Sequence, residues 1–197
     1  MPKIWNNLVL FSVLFSAPLT ASVLNELRNA LTGSSPFLAE FRQEMIDNGR
    51  TELVETGFFI YGSPSRMKWE YRDPESKIFV LNRGKISFYD PQENQLSVGD
   101  VEKQKSQWLW QVLTNDSEEV EIEENEVLRS IKIRQKEDET VFTVFVGDNG
   151  LPEHVTQQDS LGYEFRYTFS GYRLKCKIGD KDFEIKAPQD VEIVELE

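Results

Sequence analysis

The stretch SRMKWEYRDP, residues 65–74, switches chemistry at every step. Met67, Trp69 and Tyr71 hold one parity, and Arg66, Lys68, Glu70 and Arg72 hold the other. A strand sends successive side chains to opposite faces, so this segment reads as a strand with one apolar and one charged face. The same period of two returns along the chain in FLAEFRQEM, TELVETGFFIYGSP, KIFVL, KISFYD, LSV, VLRSIKIRQ, TVFTVFV, LPEHVTQQ, YEFRYTFS, GYRLKCKI and FEIK, before a tail containing VEIVELE. Between these runs stand DNGR, RDPES, NRG, PQENQ, KEDE, GDNG, DSLG and GDKD, all turn-forming in composition. About ten strands joined by such short links must be mostly antiparallel neighbours. A twisted sheet of that size has to curl or be covered. The expected fold is therefore mainly β, a curved antiparallel sheet with an apolar concave face.

Two segments break the alternation. SVLNELRNALTG, residues 22–33, carries Val23, Leu24, Leu27, Ala30 and Leu31 at helical spacing and ends at Gly33. EKQKSQWLWQVLTND, residues 102–116, carries Trp108, Leu109, Val112 and Leu113 at helical offsets, with Trp110 beside them. Both suit short helices laid over the concave face, the second as a lid. The acidic run SEEVEIEENE that follows reads as a solvated edge.

The opening residues MPKIWNNLVLFSVLFSAPLTAS have one cation, Lys3, an apolar run from Leu8 to Phe15, and small residues at Ala17, Thr20, Ala21 and Ser22. That order matches a cleavable export signal, with cleavage expected near Ala21 or Ser22. The run is shorter than the roughly 20 residues a membrane span needs. The expected organisation is a signal peptide over residues 1–21 and a single exported domain over residues 22–197.

Composition removes several functional classes. The formal charge is −12, and nucleic acid binding depends on clustered cations. One cysteine, Cys176, and one histidine, His154, are too few for a Cys/His zinc site. Cys176 shares parity with Tyr172, Leu174 and Ile178, which points to a buried thiol. His154 lies in the loop-like LPEH, away from any partner for nucleophilic catalysis. No G-x-S-x-G elbow occurs. The carboxylates Glu70, Asp73, Glu75 and Asp90 fall on outward parities or in turns, where solvation explains them. An enzyme is not expected, and neither a metal nor another cofactor.

The apolar parity is rich in wide side chains: Phe41, Trp69, Phe79, Phe88, Phe142, Tyr163, Phe165 and Phe169. Composition alone is compatible with a filled core. A thin cover over a bent sheet also leaves a concave space of the kind that holds ligands.

Read in order, SPSRMKWEYRDPES and NRGKISFYDPQENQ resemble the LolA-type family of periplasmic outer-membrane lipoprotein carriers. FLAEFRQ, GDNGLPEHVTQQDSLG and FEIKAPQDVEIV are similar to further landmarks of that family. The resemblance implies a half-open, incomplete β-barrel covered by a few short helices, with a hydrophobic cavity for lipoprotein acyl chains. It places Leu31, Phe41, Met67 and Trp69 in or near the cavity and Trp108, Leu109, Trp110, Val112 and Leu113 in the lid. Parity extends the cavity to Phe88, Phe165 and Phe169. Replacing Trp69 by Glu is then expected to abolish cargo retention and spare the fold. The implied partners are lipoproteins, an inner-membrane ABC-type exporter and an outer-membrane receptor lipoprotein, with the carrier a monomer. A non-enzymatic envelope regulator that senses lipid or lipoprotein is the alternative on the same fold. One departure stands out: Ser63 precedes Pro64 where many members have an arginine thought to bond the closed lid. A milder one is Asp190, where a glycine is usual.

Overall fold

The computed structural model describes residues 22–100, 113, 120–136 and 139–196. The chain begins with helix α1 (Val23–Ser34) and continues into a meander of β1 (Phe37–Asp47), β2 (Arg50–Ser63), β3 (Arg66–Asp73), β4 (Lys77–Asn82), β5 (Lys85–Asp90) and β6 (Gln95–Asp100). After residues 101–119 come β7 (Val120–Asn125), β8 (Ser130–Gln135), β9 (Val141–Val146), β10 (Pro152–Gln158) and β11 (Glu164–Leu174). A 3-10 turn (Asp180–Phe183) and β12 (Glu192–Glu195) close the chain.

These strands form one sheet in the order β12-β6-β5-β4-β3-β2-β1-β11-β10-β9-β8-β7. All neighbours are antiparallel except β12, which runs parallel to β6. The two meanders are joined where β1 pairs with β11, Phe41 opposite Phe169 and Gln43 opposite Tyr167. β12 and β7 are the two edges, so the sheet curves without closing, as the half-open barrel expectation has it.

Tight turns set the register. Asn48 and Gly49 both take positive φ between β1 and β2, and Arg83 and Gly84 do so between β4 and β5. Paired positive φ values give a hairpin turn whose twist matches the strands. With register fixed, one parity of every strand faces inward. Phe37, Phe41, Phe59, Tyr61, Met67, Trp69, Ile131, Ile133, Val144 and Phe169 build the core there. Helix α1 adds Val23, Leu24, Leu27 and Leu31 from one of its faces, and Leu113, a helical residue, joins them fully buried.

The helix lies across one end of the curved sheet. Its C-terminus runs into β1, and its N-terminus meets the β7–β8 hairpin. Ser22 caps it, its Oγ accepting from the Asn25 N–H at 3.3 Å. The Glu124 carboxylate accepts from Ser22 Oγ at 2.8 Å and from the Leu24 N–H at 3.0 Å, a favourable place for negative charge. Arg129 bridges Glu26 at 2.8 Å and the Gly147 carbonyl at 2.9 Å. Arg28 Nε donates to the Leu113 carbonyl at 2.8 Å.

Several expectations need correction. Cys176 is only half-buried: β11 ends at Leu174, Lys175 takes a φ of 53°, and the alternation that placed the thiol inside stops there. His154 is in β10, not a loop, on the outer face with Nδ1 3.2 Å from Thr168 Oγ1. FEIK is not a strand. Phe183 closes the 3-10 turn and is buried on the outer face under Arg66, whose guanidinium lies 4.5 Å above its ring. The tail contains an edge strand, β12. Of the second expected helix only Leu113 is within the described residues; Trp108, Leu109, Trp110 and Val112 lie outside them, as do residues 1–21.

One glycine is essential to the inner face. A Cβ on Gly57 would stand 2.1 Å from the Glu70 carbonyl oxygen and 2.9 Å from Phe41 Cε1. Without one, the Phe41 and Tyr71 rings meet edge-on across β2 at 5.0 Å. Gly57→Ala is therefore expected to cost about 2 kcal/mol or more by overpacking, read as a lower denaturant midpoint. A change within about 0.5 kcal/mol would contradict this packing.

Candidate functional site

Along the concave face, from the helix-covered end toward the hairpin tips, the structure has three zones. The first is sealed. Leu31, Phe41, Met67, Trp69 and Phe169 all lie in it, none more than 8% exposed. Their rings interlock through Phe59, whose centroid is 4.4 Å from that of Trp69 and 5.6 Å from that of Phe169. Trp69 meets Phe79 in turn at 5.8 Å. Replacing Trp69 by Glu would bury an unpaired charge here, so the fold would not be spared, contrary to what the resemblance implies.

The third zone is half-open. Met45 on β1 faces Leu53 on β2 and Phe165 on β11, and Phe165 continues through Gln157 to Phe142 on β9. Met45, Leu53, Phe142 and Phe165 are all only partly buried. Phe88 is also partly buried, at the other side of the sheet, opposite Phe79. The sequence-derived residues thus divide. Phe88 and Phe165 present accessible apolar surface on the inner face, whereas Leu31, Phe41, Met67, Trp69 and Phe169 are covered.

Between these zones runs a row of polar groups that parity did not single out. Gln43 faces Glu55 across the β1–β2 pair, and both are buried, at 7% and 4% exposed. Gln43 Nε2 donates to Glu55 Oε2 at 3.3 Å, and the Tyr71 hydroxyl donates to Gln43 Oε1 at 2.8 Å. Lys77 Nζ pairs with Glu55 Oε1 and lies 4.7 Å above the Tyr71 ring. The visible signal was a Gln and a Glu standing on the otherwise apolar parity of β1 and β2.

Burial pushes the Tyr167 phenol up to about 12, and the nearby Glu55 charge adds to it. Tyr71 is raised further, by burial first and then by Tyr167 and Glu55. Burial alone raises Tyr61 to about 12.

Elsewhere, a cleft of about 600 Å³ lies between the β1–β2 and β10–β11 turns, lined by Ile46, Asp47, Gly49, Leu161 and Tyr163 among others. It opens to solvent at the hairpin tips. Glu70 on the outer face is paired with Lys68 and Arg72, which fits its reading as a solvated charge. Ser63 Oγ lies 3.2 Å from Ser65 Oγ. Arg66, the arginine next along the chain, is committed to Asp180 at 2.9 Å on the outer side.

Residues 32–186 match the family described as "Outer membrane lipoprotein carrier protein LolA". The chain is 27% identical to the outer-membrane lipoprotein carrier protein of Helicobacter hepaticus over 164 residues, 80% of this chain and 82% of the relative. It is 24% identical to the protein of the same name from Pseudomonas syringae pv. tomato over 178 residues, 86% of each. Among solved structures it resembles an uncharacterised conserved protein from Thermus thermophilus, with TM-score 0.57 and 14% identity over 88% of this chain and 97% of that one. A LolA superfamily protein from Nitrosomonas europaea aligns with TM-score 0.52 and 9% identity over 83% and 96%. At such identities the structures speak for the fold alone.

Two outcomes are expected of the polar row. Lys77→Met strands the Glu55 carboxylate and should cost about 2–3 kcal/mol in denaturant unfolding, most of which the double change Lys77→Met/Glu55→Leu recovers. A double variant as unstable as the single would contradict the pairing. The tyrosines supply the second. Their folded values lie above the unfolded value of about 10, so their contribution is complete below pH 10 and lost as pH rises toward 12. Unfolding free energy should fall across that window, with phenolate absorbance appearing as the fold is lost. Independent ionisation of all six tyrosines near pH 10, with the fold intact, would contradict it.

Proposed function

The chain belongs to the LolA family of outer-membrane lipoprotein carrier proteins, and from that premise we propose that it binds lipoprotein acyl chains on the concave face of its sheet and carries them through the periplasm from inner to outer membrane. The observation that carries the reading is the sealed apolar interior lying under one amphipathic helix, with accessible aromatic surface beside it on the same face. Residues 1–21 serve as the export signal, and transport involves no catalysis.

Magnitudes favour exchange between helix and cargo. Burying an acyl methylene is worth about 0.8 kcal/mol, so a chain of about sixteen carbons resists entering water by on the order of 12 kcal/mol. Helix α1 buries Val23, Leu24, Leu27 and Leu31, together worth on the order of 10 kcal/mol at the usual value per side chain. One acyl chain taking the place of that helical face is nearly balanced, which allows both loading and release. Arg28, Arg129 and Glu124 hold the helix down when no cargo competes, each with bonds worth about 1–3 kcal/mol. Arg28, tied to the Leu113 carbonyl, supplies an arginine contact to the lid segment in a chain whose Ser63 cannot. In this reading Leu31, Phe41, Met67, Trp69 and Phe169 line the opened cavity, and Phe88 and Phe165 line its accessible part. Trp108, Leu109, Trp110, Val112 and Leu113 form the lid. An inner-membrane ABC-type exporter and an outer-membrane receptor lipoprotein complete the route.

The test is extraction of a fluorescent diacyl lipopeptide from donor vesicles into the soluble fraction, followed by its appearance in acceptor vesicles. Phe165→Glu, at a partly exposed position, should keep the thermal midpoint within a few degrees and reduce extraction about tenfold or more. Unchanged extraction by a folded Phe165→Glu protein would remove Phe165 from the site. Extraction without any release to acceptors would favour a sensor over a carrier.

A further inference from the structure

The polar row on the concave face continues beyond the residues that satisfy one another. Tyr167 on β11 stands directly opposite Gln43, and Gln157 on β10 is its diagonal neighbour on the same face, opposite Phe165. Together they extend the row over six neighbouring strands: Gln157, Tyr167, Gln43, Glu55, Tyr71 and Lys77. The middle of this row is paired internally, as described above. Its end at β10 and β11 is not: no described residue receives a hydrogen bond from the Tyr167 hydroxyl or shares one with the Gln157 amide. Tyr167 is enclosed deeply enough for burial to raise its phenol, yet it keeps accessible surface. Enclosure on most sides with surface left over is the signature of a group lining a concave space.

The neighbours on either side are hydrocarbon. Phe41 and Phe169 lie toward the helix, and Met45 and Phe165 lie toward the hairpin tips. Neither the Tyr167 hydroxyl nor the Gln157 amide is among the buried polar atoms left without a partner, so water reaches both, and a guest that displaces that water must replace its hydrogen bonds or carry the cost of losing them. A purely hydrocarbon guest could not replace them. A guest with acceptor groups set between long chains and a more polar remainder could, and an acyl carbonyl has that place in any acylated lipid. It is an acceptor without a donor, and the row offers the Tyr167 O–H, the Gln157 N–H pair and the Lys77 hydrogens not used by Glu55.

Resting on the carrier reading, we infer that Tyr167 and Gln157 are the docking point for the acyl carbonyls of the cargo, fixing how far its chains enter while the aromatic zones hold the chains themselves. The site thereby distinguishes acyl-linked from alkyl-linked lipids, which hydrocarbon contacts alone do not.

The experiment compares three ligands on the full mature chain by equilibrium binding: an ester-linked diacyl lipopeptide, its ether-linked dialkyl counterpart with the same chain lengths, and an uncharged alkyl fluorophore lacking carbonyls. The unmodified protein should bind the ester about tenfold more tightly than the ether. Tyr167→Phe and Gln157→Leu remove groups that no described residue relies on, so neither orphans a partner. Each should shrink the ester-to-ether ratio, and the double change should bring it to about one. A general loss of packing would weaken both ligands together and leave the ratio alone. Equal binding of ester and ether by the unmodified protein, or a ratio unchanged in the double variant, would overturn the docking point and leave the carrier reading standing. Failure of all three ligands to bind would overturn the carrier reading and this one with it.

Discussion

A sheet of twelve strands that bends but does not close imposes the constraint on which everything else here depends. Bending gathers one apolar parity from each strand onto a common inner side. Failure to close leaves that side without a second sheet to bury it. Among the described residues, what buries it is helix α1 at one end, with Leu113, and the aromatic side chains themselves. The same openness leaves two edges, which could invite further strands. Charge manages them: β7 carries Glu121, Glu123 and Glu124, and β12 carries Glu192 and Glu195. Charged edges oppose strand addition, so part of the net charge of −12 keeps the open sheet from pairing with further chains.

The inner face is not uniformly apolar, and that gives it direction. A buried ion pair between Glu55 and Lys77 is a weak source of stability, since desolvation offsets most of the attraction. Its presence divides the face into a sealed part near α1 and an accessible part near the hairpin tips. Gly57 belongs to the same arrangement, because its missing side chain lets Phe41 and Tyr71 touch where the apolar zone meets the polar row.

Much of this was legible in the sequence, for local reasons. Period-two alternation and short turns name the strands of both meanders except β7, whose acidic run reads as a solvated edge, and helical spacing ending at Gly33 names α1. Parity put Phe88, Phe165 and Phe169 on the inner side, where the backbone register has them. What escaped depends on contacts distant in the chain. VEIVELE pairs in parallel with LSV across 97 residues, and no local pattern announces that. Phe183 looked like part of a strand because its burial comes from Arg66 and the outer face, not from a neighbouring strand. Cys176 was misplaced because alternation was carried past Lys175, whose backbone turns out of the strand. Parity also could not say which inner residues are sealed and which accessible, since that follows from where α1 lies.

The most direct measurement is of contacts between the acyl chains of a bound diacyl lipopeptide and methyl groups of the protein, by isotope-filtered nuclear Overhauser spectroscopy on the mature chain. Chains that enter beneath the helix should show contacts to Met67 and Leu81, with loss of those by which α1 packs on β8. Acyl contacts confined to the outer face or hairpin tips, with the α1 contacts intact, would contradict the proposed exchange between helix and cargo.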